Sequence, residues 1–434
     1  MNDGAMIDGS DRRRRSLTDW ALAKGLKDLI KHGRLDVITA AGNRLRFGDG
    51  SGAAVEIRFT DAAAQWGFMI DPELRLGEIF TDSRLLVERG TIYDFLMLVL
   101  SNIQSSPQQQ QNVLTRLAAQ LRFATRRQRQ HNTSRRAQRN VARHYDLGDQ
   151  LYALFLDDDW QYSCAYFETP ELTLEQAQAA KKRHIAAKLL VDPGHAVLDI
   201  GCGWGGLALY LAESAGAASV TGVTLSEEQL ARARHRADQR GLADRVRFQL
   251  QDYRKIEGQF DRIVSVGMFE HVGLSFYDSY FENCQRLLKP DGVMLLHTIG
   301  CSGTPSQANP WLDRYIFPGG YLPTLSEMMP AIERAGLVLS DLEVWRLHYA
   351  QTLRIWRERF MARRDEAARL YDERFCRMWE FYLAFCEAAF RCEDVVVFQL
   401  QLARRNDSVP LSRDYIDQRK AQLRQREARL TPAS

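Results

Sequence analysis

Residues able to do chemistry fall in a few short stretches of this chain. Asp199-Ile200-Gly201-Cys202-Gly203-Trp204-Gly205-Gly206 follows directly on the apolar run that begins at His195. Closely spaced glycines at the end of a strand let backbone approach a ligand where a side chain would not fit, and the free N–H groups of a following helix face that ligand. The spacing D-x-G-x-G-x-G is not the dinucleotide pattern G-x-G-x-x-G. In Gly222-Val223-Thr224-Leu225-Ser226-Glu227-Glu228-Gln229, the place where nucleotide sites often put an acid on the ribose hydroxyls holds none, so Thr224 and Gln229 remain as neutral hydroxyl binders. Gln251-Asp252-Tyr253 offers a carboxylate acceptor for an amino group beside a ring that can stack on a base. Ser265-Val266-Gly267-Met268-Phe269-Glu270-His271 adds a carboxylate that is costly to bury without a partner. Each feature has a plain structural reading by itself: Asp252 and Tyr253 as a strand-end pair, His297 as a satisfied core histidine, His271 as a structural residue turned away from Glu270 in an extended segment. Their arrival after successive strands argues instead for one nucleoside-binding site.

The elements that must position these residues alternate. Strands are predicted at His195 to Ile200, Ser219 to Thr224, Arg245 to Leu250, Arg262 to Val266 and Val293 to Thr298, with helices at Gly206 to Ala215, Glu227 to Arg240 and Tyr277 to Leu288. This pattern predicts an α/β, doubly wound parallel sheet, which binds ligands beyond the carboxyl ends of its strands near the switch point. Aromatic-rich helices at Thr352 to Phe360 and Tyr371 to Phe390 follow, then a β-rich run at Val395 to Leu402 as a candidate to complete the sheet. Upstream, residues 16–103 read as a small α+β domain for docking or assembly, with helices at 16–33 and Tyr93 to Ile103. Within it a hairpin is predicted between Arg44 to Phe47 and Ala54 to Phe59, around Gly48-Asp49-Gly50-Ser51-Gly52. The remaining divisions are a disordered basic tail at 1–15, a basic linker at 104–140 with one amphipathic helix at Val113 to Phe123, the larger domain at 141–410 and a charged helix or tail at 411–434.

At 434 residues and 45% hydrophobic, the chain can bury more than one core. Its longest apolar stretch, Phe95 to Leu100, falls far short of a membrane span, and Arg12 to Arg15 have no apolar segment behind them, so neither a span nor a secretory signal is expected. Seven scattered cysteines without C-x-x-C or zinc spacing suggest free thiols in the cytoplasm, and no metal site is expected. The net charge of +3 is small, but Arg126, Arg127, Arg129, Arg135, Arg136, Arg139 and Arg143 crowd the linker. No aromatic residue is interleaved there before Tyr145, so nucleic acid is not the expected partner, and contact with anionic lipid headgroups or plain solvation is favoured.

The glycine turn resembles motif I of S-adenosylmethionine-dependent methyltransferases, and the match goes further. His144-Tyr145-Asp146-Leu147-Gly148, Tyr162-Ser163-Cys164-Ala165-Tyr166-Phe167, Val197 to Gly206, Gly222 to Ser226, Val266 to Gly273, His297-Thr298-Ile299-Gly300 and Tyr315-Ile316-Phe317-Pro318 together resemble the cyclopropane-fatty-acyl-phospholipid synthases and the related mycolic acid cyclopropane synthases. The resemblance covers roughly residues 140–405, and less distinctly Leu76 to Leu96. It implies a Rossmann-like class I methyltransferase that adds a methylene from S-adenosyl-L-methionine across the double bond of an unsaturated phospholipid acyl chain. Cofactor contacts are then expected at Tyr162, Ser163, Gly201, Gly203, Thr224, Leu225, Gln229, Asp252, Tyr253 and Gly267. The resemblance also implies a bicarbonate ion as base, held by Cys164, Glu270, His297, Ile299 and Tyr349, with Cys164 and Ile299 acting through backbone. Cys386 matches a family cysteine considered catalytic, although methyl transfer to an alkene needs no thiol and a buried cysteine usually packs as a small hydrophobe. A peripheral protein at the inner face of the membrane and a homodimer are expected. The alternatives are a methyl- or methylene-branched product on the same fold, or a non-catalytic membrane or RNA adaptor.

Overall fold

The computed structural model describes residues 16–105 and 148–430. The tail at 1–15, the linker beyond Ser105 with its helix at Val113 to Phe123 and its arginines, and His144 to Leu147 lie outside the described residues. Two compact units are present: one takes in 16–105, 307–316 and 353–394, the other 148–306, 317–352 and 395–430.

The first unit begins with α1 (Leu17–Leu29), β1 (Arg34–Ile38), β2 (Arg44–Phe47), β3 (Ala54–Phe59), α2 (Ala62–Ile70), α3 (Pro72–Thr81), β4 (Leu85–Arg89) and α4 (Ile92–Ser105). Its four-stranded sheet has the order β2-β1-β3-β4. The hairpin expected between β2 and β3 is not formed, because β2 pairs antiparallel with β1 and β3 pairs parallel on the other edge of β1. The tight turn lies earlier, at Thr39 to Asn43, where the Thr39 carbonyl accepts from the N–H of Gly42, a glycine at φ +83°. The loop Gly48 to Gly52 is tied to Gly33 instead: Asp49 Oδ1 accepts the Gly33 N–H at 3.0 Å, and the Gly50 N–H reaches the Gly33 carbonyl at 3.0 Å.

The rest of the chain runs α5 (Asp149–Tyr152), α6 (Leu174–Lys188), β5 (Ala196–Ile200), α7 (Gly206–Glu213), β6 (Ser219–Thr224), α8 (Glu227–Gln239), β7 (Val246–Leu250), β8 (Phe260–Val266), α9 (Tyr277–Leu287), β9 (Leu288–Cys301), α10 (Pro310–Tyr315), α11 (Leu325–Arg334), β10 (Val338–Trp345), α12 (His348–Ala362), α13 (Arg364–Leu370), α14 (Glu373–Cys392), β11 (Val395–Ala403) and α15 (Asp414–Leu430). Of these, α10, α13, α14 and most of α12 complete the first unit. Trp311 lies so close over Gly77 that a Cβ there would come within 2.4 Å of its ring nitrogen. Glu387, fully buried on α14, accepts from Arg357 at 2.8 Å and Arg391 at 3.0 Å, a charge that burial would otherwise make expensive.

The second unit is built on a seven-stranded sheet of order β10-β11-β9-β8-β5-β6-β7 flanked by helices, the doubly wound Rossmann-like class. It is mixed rather than parallel throughout, since β11 runs antiparallel to both β9 and β10. Strand β10 was not anticipated; its half-buried face lacks the continuous apolar run that marks a central strand. Successive residues on the central strands feed opposite cores: Val197, Val264 and Leu295 join one apolar cluster, Leu198, Ile263 and Met294 the other. Burial on both faces is what a parallel sheet requires. Chain order reverses between β5 and β8, so the switch point falls between Ile200 and Val266.

Candidate active site

The turns leaving β5, β6, β7 and β8 and the loop at 160–163 line one cavity at that switch point. All ten residues expected at the cofactor are on its wall: Tyr162, Ser163, Gly201, Gly203, Thr224, Leu225, Gln229, Asp252, Tyr253 and Gly267. Gly203 and Gly267 have φ of +54° and +65°, and a Cβ built on either meets nothing within 4 Å. Only open space would be filled, as a backbone cradle for a ligand demands. Gly201, at φ +82°, serves close approach instead: a Cβ there would stand 2.7 Å from that of Met268, across the switch point.

The polar groups that follow β6 are neutral. The Thr224 hydroxyl donates to Gln229 Oε1 at 2.9 Å and itself accepts the Ser226 N–H. Asp252 is gripped by its neighbour Arg254, through Nε at 2.8 Å and Nη2 at 2.6 Å, and Tyr253 packs edge-on against Tyr280. Below the glycine turn, Asp199 is buried with Oδ2 unpartnered, and burial pushes its carboxyl up to about 7 against the pull of Lys181. Across the cavity Trp160 sits at φ +59°, a strained conformation for a bulky residue, with the Arg232 guanidinium 3.4 Å over its ring. Asp159 stands before the N-terminus of α7: a Cβ on Gly206 would be 2.5 Å from Asp159 Oδ2. Burial alone would raise this carboxyl, but Lys182 and Arg236 hold it down to about 2.

Beside the cofactor wall stands Glu270. The segment is a 3₁₀ turn, Phe269–His271, and not extended. That turn buries Phe269 and Glu270 and sets His271 on the cavity wall, so the extended backbone assumed for this segment is corrected. Burial pushes His271 down to about 4, which keeps the ring neutral. Burial likewise pushes the Glu270 carboxyl up to about 7, opposed by the Ile299 N–H, which donates to Oε1 at 2.6 Å. The Ile299 N–H thus ties β9 to the Glu270 carboxyl. Glu270 Oε2 is buried without a partner.

His297, on β9, is fully enclosed. The Gln399 amide donates to its Nδ1 at 3.0 Å, leaving Nε2 as the protonated nitrogen. Burial first, then the charges of Lys181 and Lys188, holds the ring well below its ordinary value and therefore neutral. Cys164 and Tyr349 are brought to neighbouring turns, since the Ala165 N–H donates to Thr352 Oγ1 at 3.0 Å and the Phe167 N–H to His348 Nδ1 at 3.2 Å. Burial pushes the Cys164 thiol far up, so it is no nucleophile. Cys386 belongs to the other unit, on α14, and burial raises its thiol likewise. Besides His271, Trp160, Gln161, Met268 and Arg254 line the cavity without having been anticipated. Their signal was adjacency to the expected residues, which does not say which neighbours face inward. Among the described residues no group of His, Cys, Asp and Glu could hold a metal ion.

Comparison with known proteins places this arrangement. Residues 132–400 match the family model described as mycolic acid cyclopropane synthetase. The chain is 48% identical over 261 residues to the cyclopropane-fatty-acyl-phospholipid synthase of Escherichia coli (strain K12), a match covering 60% of this chain and 66% of that protein. It is 43% identical over 257 residues to a probable fatty acid methyltransferase of Pseudomonas putida, covering 58% of this chain and 65% of that one. The match thus spans slightly less than two thirds of either relative. Among solved structures, mycolic acid cyclopropane synthase CmaA1 complexed with SAH and CTAB aligns with a TM-score of 0.58 at 34% identity, over 61% of this chain and 97% of that chain. With its family model matching well over half its length, the chain belongs to the mycolic acid cyclopropane synthetase family.

Proposed function

We propose that the protein adds a methylene from S-adenosylmethionine across the double bond of unsaturated acyl chains in phospholipids, giving cyclopropane chains. The observation that carries this reading is the Glu270 carboxyl: buried, one oxygen without a partner, and beside a glycine-lined cavity with neutral hydroxyl-binding groups. An alkene is a weak nucleophile, so the site must hold it in line with the sulfonium methyl. Transfer of the methyl would break its bond to sulfur, releasing the neutral thioether S-adenosylhomocysteine, and form a C–C bond to one alkene carbon, leaving the positive charge on the other; the bound base would then take a proton from the new methyl as the ring closes.

S-Adenosylmethionine, when bound, supplies the electrophilic methyl, and bicarbonate, when bound, supplies the base. The protein groups fit both. Gly203 and Gly267 leave room for the first, while Thr224 and Gln229 bind hydroxyls. For the second, His297 presents a neutral Nε2–H and Glu270 can hold a shared proton near neutrality; two fully ionised anions would repel each other. Excluding water protects the cation from capture.

The test is incubation of the purified protein with S-adenosylmethionine and vesicles of unsaturated phospholipid, followed by mass spectrometry of the acyl chains. A gain of one CH₂ with loss of the double bond supports the reading, and unchanged chains refute it. A retained methylene or methyl branch would favour the second reading, which the methyltransferase name of the Pseudomonas putida relative supports. The proposal includes peripheral contact with the inner face of the membrane and a homodimer, which vesicle flotation and sedimentation velocity test. Among the described residues no helix is long and apolar enough to cross a membrane.

A further inference from the structure

The cavity wall at Gln161 to Ser163 is held from behind by α6. Lys181, wholly buried on that helix, directs its ammonium at Gln161 Oε1 at 2.8 Å and Ser163 Oγ at 2.7 Å. An ammonium carries three hydrogens and no lone pair, so both oxygens must accept. The Ser163 hydroxyl hydrogen is then committed to some other acceptor, and Lys181 is the only hydrogen-bond partner of that hydroxyl among the described residues. Ser163 lines the cavity, so the acceptor must come from within it. Gln161 does not compete, because its Nε2 is engaged with Asp159 Oδ2 at 3.0 Å. From the same helix, Gln178 Nε2 donates to the backbone carbonyls of Gln161 at 3.2 Å and Ser163 at 3.0 Å, fixing the main chain as well.

We infer that Lys181 is a positioning residue which locks Ser163 as an obligate hydrogen-bond donor into the cavity, set for the carboxylate at the amino-acid end of S-adenosylmethionine. The inference rests on reading the cavity as the S-adenosylmethionine site. A cation behind the hydroxyl polarises its O–H toward an anion, and no carboxylate among the described residues pairs directly with this ammonium. Burial lowers Lys181 to about 8, with Asp157 opposing, so it is charged at neutral pH.

The test is calorimetric titration of the full chain with S-adenosylmethionine and with decarboxylated S-adenosylmethionine. Lys181→Met should weaken the first by about ten- to a hundredfold, the range of one hydrogen bond to a charged group, and the second by less than about twofold. Ser163→Ala should show the same selective loss, and adding Lys181→Met to it should cost little more. Equal loss for both ligands, or no loss, overturns the positioning role. Should Lys181→Met fail to fold, Ser163→Ala decides: unchanged preference for the carboxylate-bearing ligand overturns the inference. A wild-type protein that binds neither ligand overturns the reading of the cavity as well, which separates the two failures.

Discussion

At the scale of single residues, Glu270 and Gly203 separate chemistry from binding. Glu270→Gln keeps the shape of the carboxyl and the Ile299 contact but cannot share a proton with an anion. Ring formation should fall at least ~100-fold, as for loss of a general acid–base group, while S-adenosylmethionine affinity stays within about twofold. A parallel fall in both would refute the role. The same variant has a stability signature. The folded carboxyl titrates at about 7 against an ordinary 4.5, so the native state holds a proton that the unfolded chain releases across that interval. Stability from this group is therefore full below pH 4.5 and lost as pH rises through 7. Urea unfolding of the wild type should show this decline, and Glu270→Gln should lack it. Gly203→Val should act oppositely to Glu270→Gln, abolishing cofactor binding, because its φ of +54° strains a β-branched residue and its Cβ would occupy the ligand's space. Undiminished calorimetric binding of S-adenosylhomocysteine would exclude Gly203 from the cradle.

At the scale of elements, α15 illustrates how charge holds a helix of low apolar content. Ile416 and Leu423 enter the core cluster and Tyr415 packs against it, and most of the remaining attachment is ionic: Arg183 and the Tyr210 hydroxyl both donate to Glu427, Lys420 and Arg424 bind Glu168, and Arg419 binds Asp192. Glu427→Gln leaves the half-buried Arg183 short of charge compensation and should cost about 1–3 kcal/mol in thermal or urea unfolding without altering cofactor affinity. The charged run read as a helix or a tail, and the dock that makes it a helix was not legible, because ion pairs leave no periodicity. The strands carrying the site were legible since fully buried parallel strands read as apolar runs ending in turn residues, as at Val197 to Gly201. The direction of β11 was not, since a run such as Val395 to Leu402 has the same composition whichever way it pairs. His271 escaped for a related reason: a period of two assigns faces only if the backbone is extended, and here it turns. Local pairing at Thr39 to Asn43 likewise pre-empted the hairpin expected downstream.

At the scale of the whole molecule, the units interleave in sequence, because 307–316 and 353–394 pack with the N-terminal elements while the segments on either side return to the seven-stranded sheet. The cavity draws every wall residue from one unit, between Trp160 and Val272. A ligand that binds only the native state stabilises it by RT ln(1 + [L]/Kd), about 2.7 kcal/mol at a hundredfold excess over Kd. That stabilisation should be local where opening is local. Saturating S-adenosylhomocysteine should therefore slow amide exchange at 199–206, 223–229, 251–254 and 266–272, and leave the sheet β2-β1-β3-β4 within about twofold of its free rate. Protection spread evenly over both sheets would mean that the units open together, and protection confined to the four-stranded sheet would place the ligand elsewhere. The second outcome would remove the cavity from the proposed chemistry, whatever product the lipids show.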